Sequence, residues 1–435
     1  MIYNAVAIVF MLIGCSTTPT GPGTGNIMEI KELRAENVSR EIPDIQESHV
    51  KTLVKNNSAF AFDLYKQLTL MPEISGKNIF FSPFSISTAL TMTFAGAEGQ
   101  TESEMYAALR FTLVESEVHK VFNYLDNDLN NAGSGNQQTS LSIINQLWGQ
   151  FDWPFQKPFL EKLAKNYGAG INLLNFSGEP DSSRIIINQW VEEKTQDKIK
   201  NLLPEGSIDH ATALVLTNVI YFLADWKMKF DPNLTKNSDF TMEDGKKITI
   251  PLMNLSEIDK KVKIRSVITD KSIAVELPYA GNRFAMIAML PKAGNLSVFE
   301  QSFDTTEFAN ICSGLDTTEL RVVLPRFSFG TPSMKLKEPL QQMGMKVPFT
   351  DNADFSEMDG TRTLFIDNVY HKAFITVNES GTEAAAATAV VMNWESSRKT
   401  YDFIGNRPFL YVIRDQKTGT ILFMGRVMDP SDNGE

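Results

Sequence analysis

"NESGTEAAAATAVVM", Asn378 to Met392, is the stretch on which the reading of this chain turns. After a turn-like Glu379-Ser380-Gly381 it runs small and apolar, with no charge beyond Glu383. The residues after it, "NWESSRKTYDFIGNRP", have the composition of an exposed loop. In alternating register Thr382, Ala384, Ala386, Thr388, Val390 and Met392 share one face, and Glu383, Ala385, Ala387, Ala389 and Val391 share the other. The first face can slide into a packed sheet without burying a charge, while Glu383 stays on the wet side. Alanine is also the best helix former, so helix, loop and strand are all open to these residues. A strand-former exposed beside a loop is an aggregation hazard unless insertion is its purpose. The plain alternatives are a surface helix and an ordinary edge strand.

Working outward, the chain has 435 residues, 43% hydrophobic and 21% charged, enough to build a sizeable core. A formal net charge of −11 argues against a nucleic-acid partner, because nothing basic would offset phosphate repulsion. Ala5 to Ile13 ("AVAIVFMLI") is too short to span a bilayer but has the length of a signal-peptide core. "LIGC" at Leu12–Cys15 then resembles the lipobox of bacterial lipoproteins, which implies removal of residues 1–14 and a lipid on Cys15. The leading "MIYN" lacks the usual Lys or Arg, so a cleaved secretory signal with a chance Cys stands as the alternative. Either way the protein is expected to be exported to the cell envelope, as an outer-membrane lipoprotein or extracellular, and not cytoplasmic. Cys15 and Cys312 are the only cysteines, so an acylated Cys15 excludes an intramolecular disulfide.

Residues 16–26 ("STTPTGPGTGN") have a tether composition, and 27–50 read as a loosely held leader. From about Lys51 to Asp429 there is no linker and no internal repeat. Ser58 ahead of Phe60, Leu64 and Leu68 predicts a helix N-terminus, and "RIIINQWVEEKTQDKIKNLL" predicts a helix over 184–203. "ALVLTNVIYF" (213–222) is a nearly continuous apolar run, typical of a strand buried on both faces. "VELPYAGNRFAMIAMLP" predicts a hairpin with a Gly-Asn turn, and "LRVVLPRFSF", "NVYHKAFITVN" and "PFLYVIRDQKTGTILFMGRV" add further strands. Helices early and antiparallel strands late imply one α+β domain.

Catalytic chemistry is poorly represented. The four histidines, His49, His119, His210 and His371, form no metal-ligand spacing, and no G-x-S-x-G elbow exists. "AGSGN" around Ser134 lacks the strand–turn–helix setting of a nucleophile. His371 lies in a strand pattern and reads as a hydrogen-bonded core histidine. A hydrolase with a triad assembled only in three dimensions stays open, since triads ignore sequence order.

Several separated motifs, in order, make the chain resemble the serpin family over about residues 51–431. "NIFFSPFSISTALTMTFAGAEGQTESEM" (78–105) is similar to the family's helix B and the segment after it. That resemblance implies shutter positions at Asn78, Ser82, Ser85 and His371. "LTNVIYFLADWKMKFDP" (216–232) is similar to the central strand of sheet A, with Asn218 and the breach tryptophan Trp226. "INQWVEEKTQDKI" resembles the helix F signature, with Asp197 where a glycine is usual, and 407–430 resembles the C-terminal hairpin. The resemblance implies a serpin fold, helices packed on three β-sheets with a mobile reactive-centre loop at about 379–404. It makes Glu379, Gly381, Thr382, Glu383, Ala384, Ala385, Ala386, Ala387 and Thr388 the hinge that inserts into sheet A after a protease cuts the loop and forms an acyl-enzyme. The small neutral hinge is of the inhibitory type.

The family's spacing from Glu379 implies a scissile bond at Glu395–Ser396, suited to a glutamate-preferring protease. Trp394, Arg398, Lys399 and Met392 are competing P1 residues for chymotrypsin-, trypsin- and elastase-like pockets. The expectation is therefore a monomeric suicide inhibitor of serine endopeptidases, with cysteine endopeptidases as a second target class. It is not expected to be an enzyme, and it needs no cofactor and no metal. Its partner is a target protease in covalent complex, with membrane contact only through the lipid on Cys15. A non-inhibitory serpin used as a surface binding module is the main alternative.

Overall fold

The structure is a computed structural model that describes residues 30–134, 139–256, 260–292, 295–382 and 402–434. Six helices fill the first half: α1 (Glu47–Leu70), α2 (Pro83–Phe94), α3 (Gly99–Ala108), α4 (Glu115–Ser134), α5 (Lys157–Tyr167) and α6 (Pro180–Lys194). Four short ones come later: α7 (Leu296–Gln301), α8 (Thr305–Gly314), α9 (Lys337–Gln342) and α10 (Ser356–Asp359).

Three sheets carry the strands. Sheet A contains β1 (Lys31–Leu33), β3 (Thr139–Gln150), β4 (Ile171–Leu174), β5 (Leu214–Asp225), β13 (Phe327–Gly330), β14 (Met334–Lys335), β15 (Val369–His371), β16 (Phe374–Val377) and β17 (Gly381–Thr382). Its order is β1-β4-β3-β5-β17-β16-β13, with β15 also on β5 and β14 on β15. Sheet B runs β11 (Asp316–Leu320), β8 (Val262–Ile268), β9 (Ser272–Pro278), β10 (Phe284–Pro291), β19 (Phe409–Asp415), β20 (Ile421–Val427), β2 (Ile79–Phe81). Sheet C runs β18 (Phe403–Ile404), β12 (Val322–Pro325), β7 (Lys247–Asn254), β6 (Lys236–Thr241).

The strand β5 explains the architecture. Its apolar run is needed because both faces are covered. Leu216, Ile220, Phe222 and Ala224 join the main core, and Val215 and Val219 pack with Trp148, Ile187 and Val191 beneath α6. Behind the sheet, every residue of α2 is buried. Pro83 pre-sets its first turn, and Ser82 caps it by accepting from the Ser85 N–H at 3.2 Å. Its hydroxyls bond back into the helix, Thr88 to Phe84 O at 2.8 Å and Thr91 to Ser87 O at 2.6 Å. A polar-looking helix is thereby made fit for a core. The β9–β10 hairpin forms as the sequence predicts, with Gly281 and Asn282 both left-handed at φ 83° and 58°.

Three local expectations change. The first helix starts at Glu47, so Ser58 is interior and its hydroxyl bonds to Val54 O at 2.8 Å; the apolar stripe already includes Val50, Leu53 and Val54. The helix expected over 184–203 runs Pro180–Lys194 instead. Gln196 and Asp197 turn left-handed, at φ 52° and 61°, and Ile199, Leu202 and Leu203 fold back under the Trp148 cluster. The leader is also held from Ile30 onward. Lys31–Leu33 adds an edge strand to β4. Arg40 donates to Asn123 Oδ1 at 2.7 Å and pairs with Asp126 at 2.8 Å, and the Glu41 N–H donates to Lys165 O at 2.9 Å.

Candidate functional site: the seam of sheet A

Where β5 meets the strands that come after it in the sheet, the pairing changes partner along its length. At one end β5 pairs directly with β15 in parallel: Val369 with Leu216, Tyr370 with Thr217, His371 with Asn218. At the other end Gly381 and Thr382 intervene as β17, antiparallel to β5 through Asp225 and Ala224 and to β16 through Val377. Between them, Val219–Leu223 has no strand partner on that side among the described residues.

The hinge end is tightly specified. Asn378 Oδ1 accepts the Ser380 and Gly381 N–H groups at 2.9 and 3.2 Å, making an Asx turn. Trp226 holds the same turn from below, its indole N–H donating to Asn378 O at 2.9 Å and its backbone N–H to Ser380 O at 2.8 Å. Its ring stacks on Tyr279 with centroids 4.5 Å apart, and Tyr279 and Thr382 share a hydroxyl–hydroxyl hydrogen bond of 2.8 Å. A Cβ on Gly381 would collide with Ala224 O, so only glycine lets the turn lie this close to β5. The buried Glu379 carboxylate accepts from Thr235 Oγ1 at 2.6 Å and Arg326 Nη2 at 2.5 Å. Burial works against its charge, yet those bonds win and hold the carboxyl below the usual range.

The other end is locked by polar side chains at zero exposure, Ser82, Ser85, Asn218 and His371. The Ser82 N–H donates to His371 Nε2 at 3.2 Å, which makes Nε2 the acceptor and Nδ1 the protonated nitrogen. Nδ1–H then donates to Asn218 Oδ1 at 2.7 Å, and Asn218 Nδ2 donates to Ser85 Oγ and Asn145 Oδ1, each at 2.5 Å. Burial pushes the His371 imidazolium down to about 3, so the ring is neutral. Ser, His and Asn are the residue types of a hydrolytic constellation, but Ser82, Ser85, Asn218 and His371 are fully buried and spend their polar atoms on one another and on Asn145. The group joins α2, β3, β5 and β15 instead.

The match to a family model settles what this arrangement is. The model described as "Serpin (serine protease inhibitor)" covers residues 55–430. The chain belongs to the serpin family. It is 37% identical over 381 residues to the leukocyte elastase inhibitor of Bos taurus, covering 86% of this chain and 98% of that one. An uncharacterised serpin-like protein of Methanosarcina acetivorans is 36% identical over 382 residues, 86% of this chain and 85% of the relative. Among solved structures, the native thermophilic serpin tengpin superposes with a TM-score of 0.79 at 26% identity, covering 92% of this chain and 100% of that one. Human thyroxine-binding globulin complexed with thyroxine superposes at 0.78 and 27%, over 88% of this chain and 100% of that one. Serpins are in general protease inhibitors rather than catalysts, and protease inhibition is the activity class in which the family and the elastase-inhibitor relatives place this chain.

In this serpin the structure brings together Ser82, Ser85, Asn218 and His371 at one end of the seam and Glu379, Gly381, Thr382 and Trp226 at the other. Asn78 stands apart: its amide accepts from the Met428 and Asp429 N–H groups at 2.7 and 3.0 Å and donates to Asp429 O at 2.7 Å, clamping the C-terminal segment. Cys15, the remaining hinge residues Glu383, Ala384, Ala385, Ala386, Ala387 and Thr388, and the bait residues Met392, Trp394, Glu395, Ser396, Arg398 and Lys399 lie outside the described residues. Sequence reasoning missed Asn145, Thr235, Tyr279 and Arg326. Asn145 alone left a signal, a polar residue amid the apolar "SIINQLW" strand. Among the described residues no group of His, Cys, Asp and Glu is assembled to hold a metal, and no helix is long and apolar enough to cross a membrane.

Proposed function

We propose that this serpin is a single-use trap for serine endopeptidases. The observation that carries the proposal is β17: the first hinge residues already form a strand between β5 and β16, and the next stretch of β5 has an open side among the described residues. Continuing the register from Thr382–Ala224 pairs Ala384 with Phe222, Ala386 with Ile220, Thr388 with Asn218 and Met392 with Leu214. The new strand is antiparallel to both neighbours. Its inner face meets core residues and is small throughout the hinge, while Glu383 falls opposite the partly buried Leu223.

The target's catalytic serine oxygen attacks the carbonyl carbon of the bait residue, with Glu395 favoured over Met392, Trp394, Arg398 and Lys399. The amide C–N bond breaks, Ser396 leaves with the new amine and its proton, and an ester joins the protease to Glu395. Release of the tie to Ser396 frees the hinge to extend β17 along β5. The ester is carried across the sheet before water hydrolyses it. We also infer that the chain is a bacterial envelope lipoprotein anchored through Cys15, the reading that accounts for "LIGC" behind an apolar run.

The test is a panel of glutamate-specific, chymotrypsin-like, trypsin-like and elastase-like proteases. Complexes resistant to denaturing gels are expected, and the mass of the released C-terminal peptide identifies P1. Cleavage without complex across the whole panel overturns inhibition and leaves the binding-module reading.

A further inference from the structure

Sheet A has two ends that do different things. At one, Lys31, Leu173, Gly149 and Leu214 stand in a row across β1, β4, β3 and β5. At the other, Thr139, Ala224, Thr382 and Val377 stand in a row across β3, β5, β17 and β16. Leu214 to Ala224 spans about 33 Å at a strand's rise per residue. Because β1 is antiparallel to β4 and begins beside Leu173, the chain before Lys31 joins the domain at the end farthest from the hinge. Past β1 it is fastened by Arg40 and Glu41 to α4 and α5, so this end point is firmly placed.

The insertion register ends in the same place. Met392 comes level with Leu214, hence with the row of Lys31, and Glu395 runs beyond it. A protease esterified to Glu395 therefore comes to rest at the end of the molecule from which the N-terminal segment leaves.

We propose that residues 16–29 are a spacer setting the gap between a lipid surface that holds Cys15 and the pole at which the trapped protease is parked. The inference rests on the loop-insertion and acylated-Cys15 readings above. Uncleaved, the anchored serpin presents its loop away from the bilayer, where soluble proteases meet it. After cleavage it carries the enzyme towards the bilayer, and the enzyme needs room. A Gly/Ser/Thr/Pro-rich chain of this length has an average reach of about 20 Å and a fully extended reach of about 50 Å. A protease domain of some 220 residues is roughly 45 Å across. The spacer can just admit such an enzyme, so its length decides whether translocation finishes before deacylation.

The experiment compares the acylated full chain in phosphatidylethanolamine/phosphatidylglycerol vesicles with the soluble full chain carrying Cys15→Ala. Each is made with the natural spacer, with residues 17–28 deleted, and with 17–28 replaced by a Gly/Ser segment of equal length. The readout, with the four-protease panel, is the ratio of denaturation-resistant complex to cleaved free chain. Deletion is expected to lower the ratio severalfold on vesicles, the Gly/Ser segment to restore it, and the soluble chains to agree with one another. Equal ratios on vesicles with and without 17–28 overturn the spacer. Soluble full-length chain that forms no complex at all overturns insertion itself, and the spacer with it. Orientation is checked independently in a Cys312→Ser background by energy transfer to an acceptor lipid from a dye on Ser177→Cys or Lys227→Cys. Stronger transfer from Ser177→Cys is expected, and equal or reversed transfer overturns the proposal.

Discussion

Ala384→Arg tests the register directly. Continued from Thr382–Ala224 and Thr382–Val377, it sets Ala384 between Phe222 and Ile375, which are 5% and 1% exposed. A guanidinium there would enter the core with no carboxylate facing it. An uncompensated buried charge costs about 3–5 kcal/mol. If half of that reaches the transition state for insertion, the step slows by roughly 10- to 70-fold. Deacylation is untouched, so the balance moves from trapping to release and the inhibitor becomes a substrate. Glu383→Arg is the control, because its register partner Leu223 is only partly buried, on the outer face. The assay is the number of inhibitor molecules consumed per protease inactivated, with the thermal midpoint of the cleaved chain as a second reading. Ala384→Arg is expected to raise the first at least tenfold and to lose the gain in midpoint that comes with cleavage. Unchanged stoichiometry in Ala384→Arg, or an equal loss in Glu383→Arg, would refute the assigned register.

Acid sensitivity should come from His371. Burial holds it at about 3 in the fold, against about 6.5 unfolded, so its contribution is complete above pH 6.5 and is lost as pH falls towards 3, at about 1.4 kcal/mol per unit. From pH 7 to 5 the natural chain should lose about 2 kcal/mol more than His371→Gln in urea unfolding, and equal losses refute it. Glu379→Gln removes the carboxylate held by Arg326 and Thr235; with Arg326 47% exposed, the pair is worth about 0.5–1 kcal/mol. That contribution is present above the unfolded carboxyl's range and fades as pH falls through the depressed folded one. The variant should therefore lose inhibitory activity faster on warming at pH 7, and the two chains should converge in acid. Asp197→Gly relieves an exposed left-handed residue at φ 61°. The gain should be about 0.5–1 kcal/mol, seen as a thermal midpoint higher by about 1–3 °C.

What could be read from the residues depends on how local each signal is. The run Leu214–Phe222 declares a doubly buried strand because burial on both faces leaves no room for polar alternation. The hinge reading rests on small, uncharged residues at period two beside a polar loop. The order of motifs places Trp226 and His371, but their partners emerge only from the sheet. Asn145 meets Asn218 because β3 and β5 align them as register partners, which no spacing in the chain encodes. Asn78 lies four residues before Ser82 yet serves the C-terminal segment, since proximity in sequence does not choose the side on which a side chain leaves the backbone. The sequence overruns the end of α6 because 195–203 keeps an apolar pattern: Ile199, Leu202 and Leu203 cover the same cluster as the helix without continuing it.

The proposed insertion would give the two threonines in an otherwise alanine-rich hinge a physical reason. Thr382 meets the Tyr279 hydroxyl at the top of the seam, sharing a 2.8 Å bond in a buried site where an alanine would leave that phenol unpaired. Six residues on, and on the same inner face, the proposed insertion would bring Thr388 into register with both Asn218 and His371. The proposed insertion would separate β5 from β15 there and so break the Asn218–His371 bond of 2.7 Å. An alanine at 388 would leave two buried polar groups without partners, at about 1–3 kcal/mol each. A hydroxyl can donate to one and accept from the other, bridging the strands it has pushed apart. In that register Ala384 and Ala386 would face Phe222 and Ile220, where a hydroxyl would be the unpaired group. Polar and apolar positions along the hinge thus match the polar and apolar rows of the seam it is proposed to fill, and the lock that holds β5 to β15 lies at the row where the proposed strand would carry its replacement.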